Sequence, residues 1–510
     1  MAEKEESSGA GEAKTELQII KELVDELHNY RDCYFETHGV EEAGRRDGDV
    51  KQKMEETLKR LEEKDDILKH NAEFLLQKGR CLNVTPDFSA AAEECLSRAV
   101  KLDPCLVEAW NILGDQYWKK GDLVASKNCF TGALQHEKNK VSLRNLSMVL
   151  RQLPTPNKDQ HGKHVLESVD LAREAVQLDA GDGTSWCILG NAYLSLFFNC
   201  GQNPQFSQQA LSAYAKSAAD RIASSMPDLH FNRANLFYYE EMFGCALEGY
   251  SRAAALDPNW EEPLAKEKQL LEYLEKVTEL IQNKGKVKTR RLKTMLSNLN
   301  TSALGPCSSP QFRTPSGRVG SLEPRPLSSL THGHNGGVAA LGKVVFSLAS
   351  QDRMAFTFGM VDSEETCLVV MVYNTADNWG VLIGDSVVIP EPNVKRHSIT
   401  HKDKVSISCV VLSDCAVGPV GLTSSCLLCD SRTTLKAYAW ILRCSSSSTG
   451  SYRTPKVRSR SLSATTETFG RMLIDEGLVL VPGRRAELEE GLGSVALQAG
   501  EETRIAKGGR

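Results

Sequence analysis

The chain has no apolar run long enough to span a membrane, because its longest, near Cys367–Tyr373, falls well short of the roughly 18–20 residues that a transmembrane helix needs. Its first residues, Met1 to Lys14, are polar and acidic, so they do not look like a secretory signal. A formal net charge of −5 excludes a globally basic nucleic-acid coat, although not a local basic patch. We therefore expect no membrane partner.

Enzyme signatures and clustered metal ligands are also missing. The 15 cysteines are scattered, which favours a reduced protein in the cytoplasm and nucleus. One CxxC pair, Cys426 and Cys429, is followed by no second pair or histidine cluster, so a zinc site is not favoured there. The sequence contains no phosphate-binding loop, nucleophile elbow or HExxH motif. It therefore predicts no enzyme, no cofactor and no metal.

A repeat with a 34-residue period dominates what is present. The tetratricopeptide signature W-x2-L-G-x2-Y is matched twice. The matching residues are Trp110, Leu113, Gly114 and Tyr117, and then Trp186, Leu189, Gly190 and Tyr193. The two tryptophans are two periods and an eight-residue insertion apart. Such repeats stack helix pairs into a curved α-solenoid whose inner groove binds other polypeptides.

Periodicity and composition divide the chain into seven segments. We expect a disordered N-terminus at 1–15, a helical extension at 16–69, about five repeats at 70–258, a capping helix at 259–283, a basic strip and flexible linker at 284–337, a β domain at 338–412 and a disordered tail at 413–510. The charged helices of 16–69 are also compatible with a short coiled pair. The predicted fold class is mainly α, a solenoid followed by a small β-barrel.

The β domain is inferred from short β-branched runs separated by turn residues. The predicted strands are 339–348, 354–361, 367–373, 386–389 and 404–411. Five strands of this length suit a small barrel of the oligonucleotide/oligosaccharide-binding (OB) type. Tyr373 and Trp379 could stack on bases, but a role in the core or in protein docking is favoured.

Candidate ligand-binding residues follow from the repeat register, because the first helix of each pair lines the groove. The register places on that face Asn191, Asp228, Asn232 and Asn235. One period beyond Asp228 lies Glu262, and two carboxylates on adjacent helices suit a cationic ligand group. Asparagine suits the backbone of an extended peptide, and Arg151 could hold a carboxylate through two hydrogen bonds. The alternative is an ordinary solvated groove.

A clamp for an acidic chaperone tail is a competing interpretation of such a groove. It requires lysine at the fifth position of the first helix. The register places Asn111, Cys187 and Phe231 there instead. A ligand carrying positive charge is therefore favoured over an acidic tail.

A basic strip, Lys284–Lys293, precedes the β domain and contains no acidic residue. Its candidate contacts with RNA are Lys286, Lys288, Arg290 and Arg291. Clustered cations suit phosphate groups, although a nuclear import signal has the same composition. Both interpretations stay open.

Several stretches resemble the tetratricopeptide repeat protein 5 (Strap) family. They are Arg31–His38, Asn139–Leu153, Gly201–Tyr214, Leu247–Pro258 and Trp379–Asn393. The resemblance runs from about residue 16 to about residue 405 and implies a tetratricopeptide solenoid followed by an OB-like domain. It ends there, so the tail is atypical.

Two functions are implied by this resemblance. In one, a ribosome-associated adaptor grips the N-terminal peptide of nascent α- or β-tubulin and recruits mRNA-decay adaptor machinery, which is tubulin autoregulation. In the other, a nuclear scaffold serves a histone acetyltransferase co-activator and a tumour-suppressor transcription factor during stress and DNA damage. The family's groove residues correspond to Arg151, Asp228 and Glu262, and its ribosome-contacting lysines to Lys288 and Arg290. Tubulins begin Met-Arg-Glu, so their reader needs carboxylates for the arginine and a cation for the glutamate.

Overall fold

The computed structural model describes residues 2–199, 202–314, 317–348, 355–373, 380–402, 405–413 and 442–444. Almost all of the tail predicted at 413–510 lies outside these ranges. So do Trp379 and the CxxC pair, Cys426 and Cys429.

Antiparallel helix pairs form the first part of the chain. It begins with α1 (Ala2–Asp32), α2 (Tyr34–Thr37), a 3-10 turn (Val40–Arg45), α3 (Arg46–Glu62) and α4 (Asp65–Leu68). The repeat pairs are α5 (Ala72–Leu82) with α6 (Ala90–Leu102), α7 (Val107–Lys120) with α8 (Leu123–His136), α9 (Lys140–Gln152) with α10 (Lys158–Leu178), α11 (Gly183–Asn199) with α12 (Pro204–Ala218), and α13 (Pro227–Tyr239) with α14 (Phe243–Leu256). Helix α15 (Glu261–Gln282) covers the last pair, and α16 (Thr289–Ser297) follows the 3-10 turn Lys284–Lys286.

The signature residues act alike in both repeats that carry them. The indole nitrogens of Trp110 and Trp186 donate hydrogen bonds of 2.9 Å to the carbonyls of Pro104 and Ala180, in the loops that precede their helices. Each signature glycine lies against an aromatic ring of the second helix of its pair, so that the two helices can approach closely. The tryptophan and the glycine therefore fix both the entry and the packing of the helix pair.

Gly190→Ala should destabilise the solenoid by about 1–3 kcal/mol, because the added methyl overpacks a filled core. The new Cβ would lie 2.5 Å from the ring of the fully buried Tyr214. Gly132 is the matched control, since a Cβ there meets the Trp110 ring at an ordinary 3.4 Å. In the interior of α8, Gly132→Ala should be neutral or stabilising by up to about 1 kcal/mol. Chemical denaturation of the two variants measures the difference.

The N-terminal helices pack onto the first repeat rather than onto each other alone. Ile20, Val24 and Leu27 of α1 share one apolar core with Leu61 of α3 and Phe74 of α5. Helix α1 also starts at Ala2, so residues 2–15 are helical, whereas the sequence predicts disorder at 1–15. Alanine, glutamate and lysine are strong helix formers and are frequent in that segment.

Nine strands among the described residues form one mixed sheet. They are β1 (Glu323–Arg325), β2 (Gly333–His334), β3 (Val338–Leu348), β4 (Ala355–Val361), β5 (Cys367–Tyr373), β6 (Ser386–Pro390), β7 (Asn393–His401), β8 (Val405–Ser413) and β9 (Leu442–Cys444). The order is β2-β7-β8-β5-β4-β3-β6-β9, and β1 pairs with β3 in parallel. Val344, Phe358, Val370 and Ile389 lie in its core.

Part of the flexible linker predicted within 284–337 is structured, which corrects that expectation. Leu304, Cys307, Phe312 and Leu322 are buried in one cluster with residues of β3 and β6. Strands β1 and β2 also fall within this segment. The segment is rich in Pro, Ser and Gly, and this composition predicts a flexible linker. The prediction missed the four buried apolar residues because they are few and widely spaced in the sequence.

The β domain is packed tightly against the end of the solenoid. Phe243 and Leu274 share an apolar core with Val345 and Met371. The hydroxyl of Tyr373 donates to the buried Glu241 carboxylate at 2.9 Å, so this tyrosine lies in the docking interface. No described helix is both long and apolar enough to cross a membrane.

Candidate functional site

Arg151 is a buried cation with no acidic partner among the described residues. It lies near the end of α9 and is only 8% exposed. Its Nη1 donates to Ser147 Oγ at 2.9 Å and to the Ser147 carbonyl at 3.2 Å, whereas its buried Nη2 has no hydrogen-bond partner in the described part of the chain. Burial lowers the pKa of Arg151 to about 10. A buried unpaired donor is costly, so this side chain is arranged for something other than stability.

Asp228 is the complementary case, a buried carboxylate that pairs with no cation of the described ranges. It lies in the first turn of α13, just after Pro227, and is 9% exposed. Burial, and then the nearby Asp257, raise the pKa of Asp228 to about 7. The N-terminus of α13 offsets part of this cost, because helix N-termini favour negative charge.

The two charges face the same small region of the groove. Cys187 of α11 is fully buried, and burial raises the pKa of its thiol to about 12. Among the smaller contributions to that value, Asp228 raises the pKa and Arg151 lowers it, so both charges act on the same thiol. Yet Arg151 and Asp228 form no ion pair with each other. The first helices of three successive repeats, α9, α11 and α13, therefore place a cation, a thiol and an anion side by side.

The predicted asparagines surround the centre that Arg151, Cys187 and Asp228 form. Asn191 Oδ1 accepts hydrogen bonds from Tyr214 Oη at 2.8 Å and from Asn232 Nδ2 at 3.1 Å. Its own Nδ2 is buried and has no partner among the described residues, and neither has the hydroxyl of Ser195 one turn further along α11. Asn235 lies nearer the surface, where its Oδ1 accepts from Tyr250 Oη at 2.7 Å. The centre thus holds unused donors beside an unpaired carboxylate.

Glu262 lies at the edge of the same acidic region. It is half-buried in the first turn of α15, and Trp260 Nε1 donates to its Oε2 at 3.4 Å. Because α13 and α14 are antiparallel, the start of α13 meets the end of α14, where α15 also begins. Asp228, Asp257 and Glu262 therefore lie at one end of these helices.

The repeat-two half of the groove is satisfied by its own partners. Glu108 pairs with Arg80 at 3.0 Å, and Asp115 pairs with Lys119 at 3.2 Å. The buried Asn111 accepts from Ser142 Oγ at 2.6 Å. The unsatisfied groups are therefore concentrated in repeats three to five.

The basic strip divides into paired and unpaired cations. Lys284 and Lys286 pair with Glu365 and Glu279. Four further cations are exposed and form no ion pair with a described residue. They are Lys288, Arg290, Arg291 and Lys293. Leu292 is buried and anchors α16 to the fold, which leaves these cations on its outer side.

Sequence reasoning missed Ser195, Tyr214 and the central position of Cys187. Ser195 could have been found, because a residue four positions after Asn191 lies on the same helix face. Tyr214 could not, since its position in the second helix predicts only packing. The binding roles of the predicted groove and strip residues stay predictions, whereas their placement is as described.

A tetratricopeptide solenoid with an unsatisfied polar groove, joined to a docked β domain, defines a protein-interaction adaptor. Among the described residues, no group of three or more His, Cys, Asp and Glu could hold a metal ion.

Comparison with known proteins also indicates a tetratricopeptide adaptor and identifies its family. The model of the tetratricopeptide repeat protein 5 OB fold domain matches residues 321–415. Tetratricopeptide repeat protein 5 of Bos taurus is 58% identical over 394 residues, which cover 77% of this chain and 90% of that protein. The Homo sapiens protein of that name is 58% identical over 405 residues, 79% of this chain and 91% of the relative. The chain belongs to the tetratricopeptide repeat protein 5 family, which confirms the resemblance and the predicted fold class of solenoid and OB domain.

Two solved structures of tetratricopeptide proteins each match part of this chain. A thermophilic tetratricopeptide protein of Thermus thermophilus, TTC0263, is 16% identical, with a TM-score of 0.33, and the match covers 39% of this chain and 98% of that one. YrrB, described as having an unusual peptide-binding site, is 20% identical, with a TM-score of 0.27, and the match covers 41% of this chain and 97% of that one.

Proposed function

We propose that the chain is a ribosome-associated adaptor in the cytoplasm that reads the N-terminal peptide of nascent α- or β-tubulin in its groove and triggers decay of the translating mRNA. The observation that carries this proposal is the buried pair of opposite, mutually unpaired charges, Arg151 and Asp228. Family membership supports it, because the resemblance assigns the same residues to peptide recognition.

The chemistry of the groove selects a ligand that carries both charges. Asp228 and Glu262 supply carboxylates for a cationic side chain, and Arg151 supplies a guanidinium for an acidic one. A Met-Arg-Glu terminus presents both within two successive residues. A purely acidic peptide would leave Asp228 unpaired, and a purely basic one would leave Arg151 unpaired.

Hydrogen-bond donors of the centre also suit the peptide backbone. Asn191 Nδ2 and Arg151 Nη2 are donors without partners in the described part of the chain. The carbonyls of an extended peptide accept such bonds, and each bond would satisfy a group that is buried and unpaired without the ligand. Recognition would then cost little reorganisation, because the centre is rigidly packed beforehand.

The exposed cations of the basic strip supply the second contact. Lys288, Arg290 and Arg291 suit the phosphates of ribosomal RNA near the exit of the nascent chain. A groove that binds a short peptide weakly gains from such tethering, because a second attached site raises the effective concentration of the first.

Arg151→Ala should abolish the loss of tubulin mRNA that follows microtubule depolymerisation in cells lacking the endogenous protein. Removing the buried guanidinium leaves the ligand carboxylate without its partner. Tubulin mRNA half-life, measured after addition of a depolymerising drug, is the readout. Arg144→Ala, on the same helix and paired with Asp182, is the control and should retain the response. A normal response in the Arg151 variant would rule out the groove as the reader.

A further inference from the structure

Residues 33–47, which comprise the segment between α1 and α3 and the first two residues of α3, contact the opposite end of the solenoid. Glu36 Oε1 lies 2.9 Å from Arg221 Nη1, in the segment between α12 and α13. Arg221 Nη2 also donates to Cys33 Sγ at 3.4 Å. We call residues 33–47 the closing loop. It joins parts of the chain that are almost two hundred residues apart.

A second contact of the closing loop reaches the acidic end of the groove. The turn Val40–Arg45 packs on α14, with Ala43 7% exposed. Asp257, which follows α14, feels both Asp47 and Arg46: the first raises its pKa and the second lowers it, after the larger effect of burial. Asp257 in turn acts on Asp228. The loop therefore borders the end of the groove at which the ligand cation would bind.

These contacts close the curve of the solenoid into a ring. The helices on either side of the loop are fixed to the first repeat through the core that contains Val24, Leu61 and Phe74. The loop itself contacts repeats four and five. Arg151, Cys187 and Asp228 lie on the inner helices of the same ring. A ligand in the groove would be surrounded by the protein on all sides of the ring.

The closing contact is weak compared with the rest of the fold. The Glu36 and Arg221 side chains are 42% and 65% exposed. An exposed ion pair of this kind contributes at most about 1 kcal/mol. Within the turn Val40–Arg45, which packs on α14, the buried apolar side chain is the small one of Ala43. The ring can therefore open without unfolding the repeats.

We propose that the closing loop is a gate, which opens at the Glu36–Arg221 contact to admit a peptide and closes to retain it. The gate regulates the site of the proposed function and rests on that function. A gate of this kind slows entry and exit together, because both require the same opening.

Locking the ring tests this proposal. Arg221→Cys would place a thiol near the native Cys33, and a short reversible bis-methanethiosulfonate would join the two. Binding of a labelled synthetic peptide that begins Met-Arg-Glu would be followed by stopped-flow fluorescence. We expect association to slow by about tenfold or more in the crosslinked protein and to recover when a reductant is added. The Cys33→Ser/Arg221→Cys double variant, treated in the same way, is the control and should not respond.

Weakening the Glu36–Arg221 contact is a second test of the gate. Glu36→Arg should speed both association and dissociation by about two- to fivefold, which is the range that an exposed ion pair allows. The charge-swapped protein, Glu36→Arg with Arg221→Glu, should return both rates towards those of the unmodified chain. Glu36→Arg and Arg221→Glu both alter exposed side chains, so folding should be retained.

The outcomes separate the gate from the groove. If the crosslinked protein binds peptide at the uncrosslinked rate, or if mass spectrometry shows that the two thiols cannot be joined, the gate is overturned while peptide binding stands. If the uncrosslinked protein binds no peptide, the proposed function fails, and the gate fails with it.

Discussion

Asp228→Asn should stabilise the ligand-free protein above pH 7 and at the same time abolish binding of a Met-Arg-Glu peptide. In the folded chain the carboxylate is buried and pairs with no described cation, so ionising it costs free energy that a neutral amide of similar shape does not lose. The peptide, in contrast, needs the negative charge. A gain in stability with a loss of binding is the expected signature of a site organised for its ligand.

The pH dependence of this stability difference follows from the direction in which the pKa of Asp228 is shifted. Burial raises the pKa of Asp228 from 3.8 to about 7. The pKa of Asp228 is higher in the folded state than in the unfolded state. The carboxyl group therefore contributes its full stabilisation below the pKa of the unfolded state, and this contribution is lost as the pH rises through the pKa of the folded state. The stability gap between Asp228→Asn and the unmodified protein should therefore open between pH 4 and pH 7. The difference between the two pKa values corresponds to a difference in the free energy of unfolding on the order of 2–4 kcal/mol at pH 8.

Two measurements decide this prediction. Urea denaturation at pH 5 and pH 8 gives the stability of each protein, and fluorescence anisotropy with a labelled peptide gives the affinity. Peptide binding by the unmodified protein should weaken as the pH falls below 7, because protonation removes the charge that the ligand arginine needs. Asp170→Asn is the control, since that carboxylate is 77% exposed and should change neither quantity by much. A destabilised Asp228→Asn protein that still binds peptide would show the carboxylate to be structural.

The solenoid could be predicted closely because its signals are local. A tryptophan, a glycine and a stopping proline recur in a fixed register, and each acts on its own helix pair. The predicted cap, for example, ends within one residue of α15 (Glu261–Gln282). The β strands were predicted where β-branched residues are continuous. Strand β7 was missed, because Lys395, Arg396 and His397 interrupt its alternation of buried and exposed residues.

The site could be predicted only in part, because burial depends on contacts between distant repeats. The register indicated that Asp228 and Asn191 line the groove. It could not show that Asp228 pairs with no described cation whereas Glu108, at the equivalent position of repeat two, pairs with Arg80. Nor could it show the contact between Glu36 and Arg221, since no local pattern links those residues. Paired and unpaired charges look the same in a sequence.

Reversing the charge of Lys288 and Arg290 should detach the protein from ribosomes while leaving peptide binding intact. Both side chains are exposed at the start of α16 and form no ion pair with a described residue, so their charge is available to a partner. The buried Leu292 fixes the helix that carries them. Contacts of this kind to phosphate are strongly salt-dependent, because binding releases counterions. Each lost contact should lower the slope of log affinity against log salt by about one.

Sedimentation with ribosomes translating tubulin, over a series of potassium chloride concentrations, measures this effect. Lys288→Glu with Arg290→Glu should reduce co-sedimentation at the lowest salt and flatten the salt dependence by about two units. Lys59→Glu with Arg60→Glu is the matched control, because it makes the same change in net charge on exposed positions of α3. If the control variant loses ribosomes equally, overall charge rather than the strip is responsible. If only the strip variant loses ribosomes and it still binds free peptide, the strip and the groove are separate contacts. Their combination then provides the selectivity for nascent chains.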